Sequence, residues 1–211
     1  MLYHFPAKTA EGVERIVILE GIVTTLNEDG TPNVAPMGPL VDDPITRLVL
    51  RPYQTSRTYR NLKRSAGGVF HITDDVELLA HAATNTLNEL PALVDARSIP
   101  GFILVDACRW YAFRVRELED AEPRTTIHCE VIDQGHQRDF LGFNRAKHAV
   151  LEAAILATRI GILPAAQIAD EMRRLESPVE KTGGEQERRA FAFLREYIAQ
   201  RLPDAESRKK N

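Results

Sequence analysis

The chain has 211 residues, 44% of them hydrophobic, with 27 Lys+Arg against 30 Asp+Glu and a formal net charge of −3. That is one large domain, or a domain with an appendage, long enough to bury a core without disulfides or metals. The mild acidity argues against a general nucleic-acid or anionic-membrane binder, and no apolar run approaches the ~20 residues that span a bilayer.

In chain order, residues 1–12 (MLYHFPAKTAEG) have no basic start followed by an apolar run, so no signal peptide is expected. Arg15 to Leu26 (RIVILEGIVTTL) is β-branched and predicts a strand, with a bulge or close backbone approach at Glu20-Gly21. Asn27 to Gly30 is a turn built on Asp-Gly. Asn33 to Val41 (NVAPMGPLV) runs back, and its two prolines predict an irregular or edge strand. Asp42-Asp43-Pro44 turns again, and Leu48 to Leu50 is a short buried strand. Residues 51–73 (RPYQTSRTYRNLKRSAGGVFHIT) then read as a hydroxyl-rich turn and a short basic helix. Two glycines stop that helix, and a strand over Val69 to Ile72 follows.

Asp74 to Thr84 predicts an Asp-capped helix. Residues 85–101 are mixed, with Pro91 and Pro100-Gly101 as breakers. Arg109 to Leu118 and Arg124 to Gln134 alternate with period two, as half-buried antiparallel strands do. The last third is helical: Phe143 to Ile162 with an Asn144 cap, Ala165 to Leu175 after Pro164, and Gln186 to Leu202. Ser177-Pro178 is expected to break the chain and Lys181 to Gly184 to form a loop. Ala190, Leu194, Tyr197 and Ile198 form one apolar stripe. These helices carry too little hydrophobic surface to make a core alone and are expected to pack on the barrel or on a second subunit. The layout is a β-rich body and a helical end, with a charged, disordered tail.

Chemistry-bearing motifs are few. The six histidines make no HxH or HExxH, and no Cys/His pair has ligand spacing, so no metal is expected. Cys108 and Cys129 lie in strand-like segments without CxxC and read as buried free thiols in a reduced, cytoplasmic setting. GxSxG, GxGxxG and GxxxxGK[ST] are absent. What remains is Thr55, Ser56 and Thr58 at a helix start among Arg51, Arg57, Arg60, Lys63 and Arg64. Free N–H groups and the helix dipole favour an anion there, although Ser and Thr are also ordinary N-caps. NVAPMG upstream can offer free backbone groups to a flat heterocycle, or its prolines serve only to protect an exposed edge. Strand edge and hydroxyl turn together suit a mononucleotide.

DGTPNVAPMG after a β-branched strand resembles the opening hairpin of FMN-binding split barrels, the superfamily of flavin reductases and pyridoxamine-phosphate oxidases. RPYQTSRTYRNLKRSAGGVFHIT resembles the flavin-reductase phosphate segment. FNRAKHAVLEAAILATR, with SPVEKTGGEQERRAFAFL, is similar to an uncharacterised archaeal and bacterial family within that superfamily.

The resemblance implies an α+β fold, mainly antiparallel: a split β-barrel over residues 1–138, a helical extension over 139–203 and a tail over 204–211. It implies a homodimer with FMN near the subunit interface. Asn33, Ala35, Met37 and Gly38 would line the isoalloxazine edge. Thr55, Ser56, Thr58 and Asn61 would hold the phosphate and ribityl chain, with Arg51 and Arg57 as charge partners and Gln54 as a further contact. Asn144 and Arg145 match the helical motif and would either touch ligand or only cap and pair, the latter being the favoured role. A small barrel fills its interior with side chains, so a flavin would bind outside, in a groove. The implied function is a flavin-reductase-like oxidoreductase, its donor NAD(P)H or another reduced small molecule. The alternatives are a non-catalytic FMN carrier or redox sensor, and a scaffold whose barrel has lost flavin.

Overall fold

The computed structural model describes residues 16–208, with side chains as far as Leu202. Arg15, His4 and residues 209–211, on which some of the sequence expectations fall, lie outside the described residues.

The β-branched opening forms β1 (Val17–Ile18) and β2 (Gly21–Leu26), separated by Leu19 and Glu20. The Asp-Gly turn leads to β3 (Pro32–Met37), followed by β4 (Leu40–Val41) and β5 (Arg47–Leu50). Helix α1 (Arg57–Ser65) and strand β6 (Gly67–Ile72) come from the hydroxyl-rich segment, and α2 (Val76–Thr84) begins at its Asp75 cap. Residues 85–101 were expected to be mixed; β7 (Leu93–Asp95) pairs with β8 (Phe102–Leu104) in a separate two-stranded sheet. The long hairpin is β9 (Arg109–Glu119) and β10 (Thr126–His136).

The main sheet has eight strands in the order β1-β4-β5-β10-β9-β6-β2-β3, every neighbouring pair antiparallel. Val23, Phe70 and Phe113 from one half of the sheet share a buried cluster with Val41, Leu48, Leu50 and Ile127 from the other. Two ends of a sheet can meet in one cluster only if the sheet curls, so this is a barrel left open between β1 and β3. Each fully buried Phe, Leu or Ile contributes about 1.5–3 kcal/mol. The proline-containing β3 is the edge strand, where a missing N–H costs no ladder bond.

Three details differ from the sequence expectation. Ala66, in the left-handed conformation at φ 53, ends α1, with its N–H bonded to the Leu62 carbonyl. Gly67 and Gly68 instead begin β6, where a Cβ on Gly68 would lie 2.8 Å from the Thr24 carbonyl oxygen. Ser177-Pro178 does not break its helix. After α3 (Arg145–Thr158), α4 runs over Ala165–Thr182 with Pro178 inside, and the following loop shrinks to Gly183-Gly184. One missing N–H costs a single intrahelical bond, and Val179, just beyond it, is buried against the helical core. Helix α5 (Glu185–Arg208) extends through residues 204–208, part of the expected tail.

The helical end packs on α2. Ala146, Ala149, Ala153 and Ala157 of α3 share a core with Leu79 and Ala80 of α2 and with Ala190, Leu194 and Ile198 of α5. Small alanines let these helices approach closely. A polar clamp adds to this packing. Lys147 Nζ, nearly buried, pairs with Glu187 at 2.8 Å and donates to the Asp74 carbonyl at 2.7 Å. Asp74, in turn, accepts from Arg138 and from the Leu141 N–H. Asn144 caps α3 through the Ala146 and Lys147 N–H groups and donates to the Thr182 carbonyl, the structural role expected of it. Arg145 beside it is exposed. No helix among the described residues is long and apolar enough to cross a membrane.

Gly21 and His71 hold β2 against β6. A Cβ on Gly21 would lie 2.2 Å from the His71 carbonyl oxygen and 2.8 Å from the Phe70 ring, the close approach expected at Glu20-Gly21. The fully buried His71 ring donates from Nδ1 to the Ile22 carbonyl and accepts at Nε2 from the Leu104 N–H, which fixes the neutral Nδ1–H tautomer. Burial pushes its pKa down to about 4, against the opposing hydrogen bond to Ile22.

Gly21→Ala should lower the free energy of unfolding by about 3 kcal/mol, because backbone must move. Gly30→Ala, at φ 80 with nothing within 4 Å, should lose only about 1 kcal/mol; urea titrations of the two variants test this ordering. The unfolded chain binds a proton at His71 below its ordinary value of 6.5 and the folded chain does not until about 4. Stability from this group is therefore complete above the higher value and drains away as pH falls toward the lower one, by about 2 kcal/mol between pH 7 and pH 5. A nitrogen NMR titration should show His71 neutral throughout that range; protonation near pH 6.5 would contradict the assignment.

Candidate functional site

Helix α1 starts at Ser56, whose Oγ accepts from the Tyr59 N–H and whose own proton remains available to a ligand. No acidic residue occupies the first turn, so the positive end of the helix dipole is not offset there. The turn before it is held from behind. Gln54 Nε2 donates to the Asp120 and Glu122 carbonyls at 2.6 and 3.0 Å. Asp120 Oδ2 accepts from Tyr59 Oη at 2.6 Å and Lys63 Nζ at 2.7 Å. Those bonds hold the Asp120 carboxyl below the usual range and raise the lysine.

From the front, the turn is tied to the edge strand by buried amides. Asn33 Nδ2 on β3 donates to Thr25 Oγ1 on β2 and to Thr58 Oγ1 on α1, both at 3.2 Å. Asn61 Nδ2 on α1 donates to the same Thr25 Oγ1 and to Asn27 Oδ1, both at 3.0 Å. Asn33, Thr25, Thr58 and Asn61 are all buried. Each amide has spent both donor protons, so the network is rigid in register as well as satisfied.

Between the edge strand and the turn lies an open cleft of about 590 Å³. One wall is β3, from Pro32 through Pro36. The end wall is Thr55, Ser56, Arg57, Thr58 and Arg60. The far wall comes from the C-terminal end of α2 and the loop beyond it: Ala82, Ala83, Asn85, Leu87 and Leu90. Among the described residues, the lining has hydroxyls and two guanidinium groups at one end, apolar surface at the other, and no carboxylate. Such a cleft suits a ligand with an anionic head and a flat apolar body.

Six of the expected residues line this cleft: Asn33, Ala35, Thr55, Ser56, Arg57 and Thr58. Five stand elsewhere. Met37 packs against the barrel core, and a Cβ on Gly38 would lie 2.7 Å from the Glu20 carboxylate. Gln54 braces the turn from behind, Asn61 faces the barrel wall, and Arg51 is not part of the cleft lining. Sequence reading missed the whole far wall. The left-handed Asn85 that closes α2 is a readable stop signal, but nothing local places that stop beside α1. Arg60, which in sequence is only a flanking charge, lines the end wall. Cys108 and Cys129 are buried free thiols with pKa values pushed up by burial, away from the cleft.

No curated protein matches the chain. Among solved structures it is similar to an FMN-bound protein from Methanosarcina mazei, at 25% identity and a TM-score of 0.73, covering 87% of this chain and 96% of that one. It is also similar in fold to flavoredoxin from Methanosarcina acetivorans, at 11% identity and a TM-score of 0.50, covering 64% and 79%. The fold is thus a flavin-reductase-like split β-barrel, α+β and mainly antiparallel, with a three-helix C-terminal extension. Two family models match, one described as the N-terminal domain of a protein of unknown function (DUF447) over residues 19–138, the other as a protein of unknown function (DUF447) over residues 144–196. With its barrel and its helical end both matched, the chain belongs to the DUF447 family.

Proposed function

We propose that the protein is an FMN-binding flavoprotein and acts as a flavin-reductase-like oxidoreductase. The observation that carries this reading is the single cleft joining a hydroxyl-and-arginine helix start to a strand edge that is unpaired among the described residues. The phosphate would sit at Thr55, Ser56 and Thr58, with Arg57 and Arg60 for charge. The ring system would lie along Pro32 to Pro36, facing Ala82, Ala83 and Leu87. The similar protein from Methanosarcina mazei is FMN-bound. When bound, the flavin supplies the redox chemistry, and the protein supplies position and electrostatics.

The reading extends to a homodimer with flavin at the subunit interface. Phe140, Leu141 and Phe143 support it, being 47%, 77% and 96% exposed in a single chain. We take residues 1–138 as the flavin-binding unit, 139–203 as the helical extension and 204–211 as a tail. NAD(P)H or another small reductant serves as donor, in the cytoplasm, with no nucleic-acid or membrane partner. One observation favours a second reading, a non-catalytic FMN carrier or redox sensor: among the described residues, no Asp, Glu, His, Cys or Tyr lines the cleft. Anaerobic mixing with NAD(P)H separates the two. Bleaching of the flavin band supports the oxidoreductase; an unchanged spectrum with every donor tried leaves the carrier.

The site itself is tested by Thr55→Ala combined with Ser56→Ala. Charge-assisted hydrogen bonds contribute about 1.5–3 kcal/mol each, so FMN should bind at least about tenfold more weakly. Riboflavin, which has no phosphate, should bind as to the parent, and it controls for the lost Ser56 cap. Equal losses for both flavins would move the phosphate elsewhere.

A further inference from the structure

Away from the cleft, the β9–β10 hairpin brings Glu117, Glu119 and His128 together, with one ligand atom from each lying within 4.8 Å of the others. The arrangement follows from a bulge. His128 pairs with Glu117 while Cys129 pairs with Val115, so Arg116 is the extra residue on β9. Beyond it the alternation slips by one. Leu118 joins Val115 against the barrel core, and Glu117 and Glu119 share the outer face with His128.

Three nearby cations have partners outside the trio. Arg116 donates to Glu130 at 2.6 Å through Nε, and Lys63 is held by Asp120. Arg124 lies over the Tyr53 ring and donates to the Arg51 carbonyl. Among the described residues, none of the three side chains takes a hydrogen bond or ion pair. Two carboxylates on one face, two residues apart, repel each other unless a cation joins them.

We propose that Glu117, Glu119 and His128 form a binding site for a divalent transition metal of the zinc class. One imidazole nitrogen and two carboxylate oxygens suit zinc, whereas calcium and magnesium prefer an all-oxygen set. Ligand atoms around zinc stand roughly 3.4 Å apart, from metal–ligand bonds near 2.1 Å. Side-chain rotation on an exposed strand face closes the remaining gap. Three protein ligands leave a coordination position open to water or to a fourth ligand. The expectation of no metal rested on spacing within single segments; these ligands lie on two strands, and only the hairpin register unites them. The metal would pin the hairpin next to Asp120, which braces the α1 turn through Tyr59 and Lys63.

The test is calorimetric titration of the EDTA-treated full-length protein with zinc sulfate, alongside thermal unfolding. Zinc should bind stoichiometrically at micromolar concentration and raise the Tm. Glu117→Gln and His128→Ala should each weaken binding at least about tenfold, a conservative expectation for a direct ligand. His136→Ala, at the other end of β10, should leave it unchanged. All the substituted side chains are at least partly exposed, so the variants keep the core intact. Absence of binding at about 100 µM zinc, a level far above micromolar affinity, would overturn the proposal. So would affinity that survives both substitutions.

Discussion

The cleft depends on one shared acceptor, the Thr25 hydroxyl on β2. It receives the Asn33 amide from the edge strand and the Asn61 amide from helix α1. A helix packed on a sheet by apolar contact alone can slide by a fraction of a turn, because such contacts are non-directional. Hydrogen bonds from buried amides to buried hydroxyls cannot slide without leaving donors unpaired, at about 1–3 kcal/mol each. The distance between the strand edge and the hydroxyl turn is set in this way. It is that distance which would let one ligand reach both.

The far wall has a different origin. Helix α2 carries Ala82, Ala83 and Asn85 to the cleft, while Leu79 and Ala80 belong to the core it shares with α3 and α5. The ion pair between Arg189 and Glu77, at 2.9 Å, and the Lys147–Glu187 clamp fasten the same junction. The clamp's buried charges are hydrogen-bonded as well as paired, which offsets their desolvation. The helical end therefore does more than extend the chain: it steadies the element that closes the cleft opposite the edge strand.

Much of this was legible in the sequence because the signals are local. Period-two alternation marked β9 and β10, Asp-Gly marked the β2–β3 turn, and prolines marked β3 as an edge. The hydroxyl turn was legible for the same reason. The misses are tertiary. Pro178 reads as a breaker, yet α4 continues through it with Val179 buried in the helical core. The bracing bonds made by the Asn61 and Gln54 amides depend equally on which segments meet, and their place in a motif does not show them. The α2 wall and the Glu117, Glu119 and His128 cluster depend on which segments fold against which, and no spacing along one segment encodes that.

The most direct measurement is the identity of the small molecule that purified protein releases on denaturation, read by mass and by visible spectrum. The protein should be yellow and release stoichiometric FMN. A colourless protein whose Tm does not move with saturating FMN would contradict it.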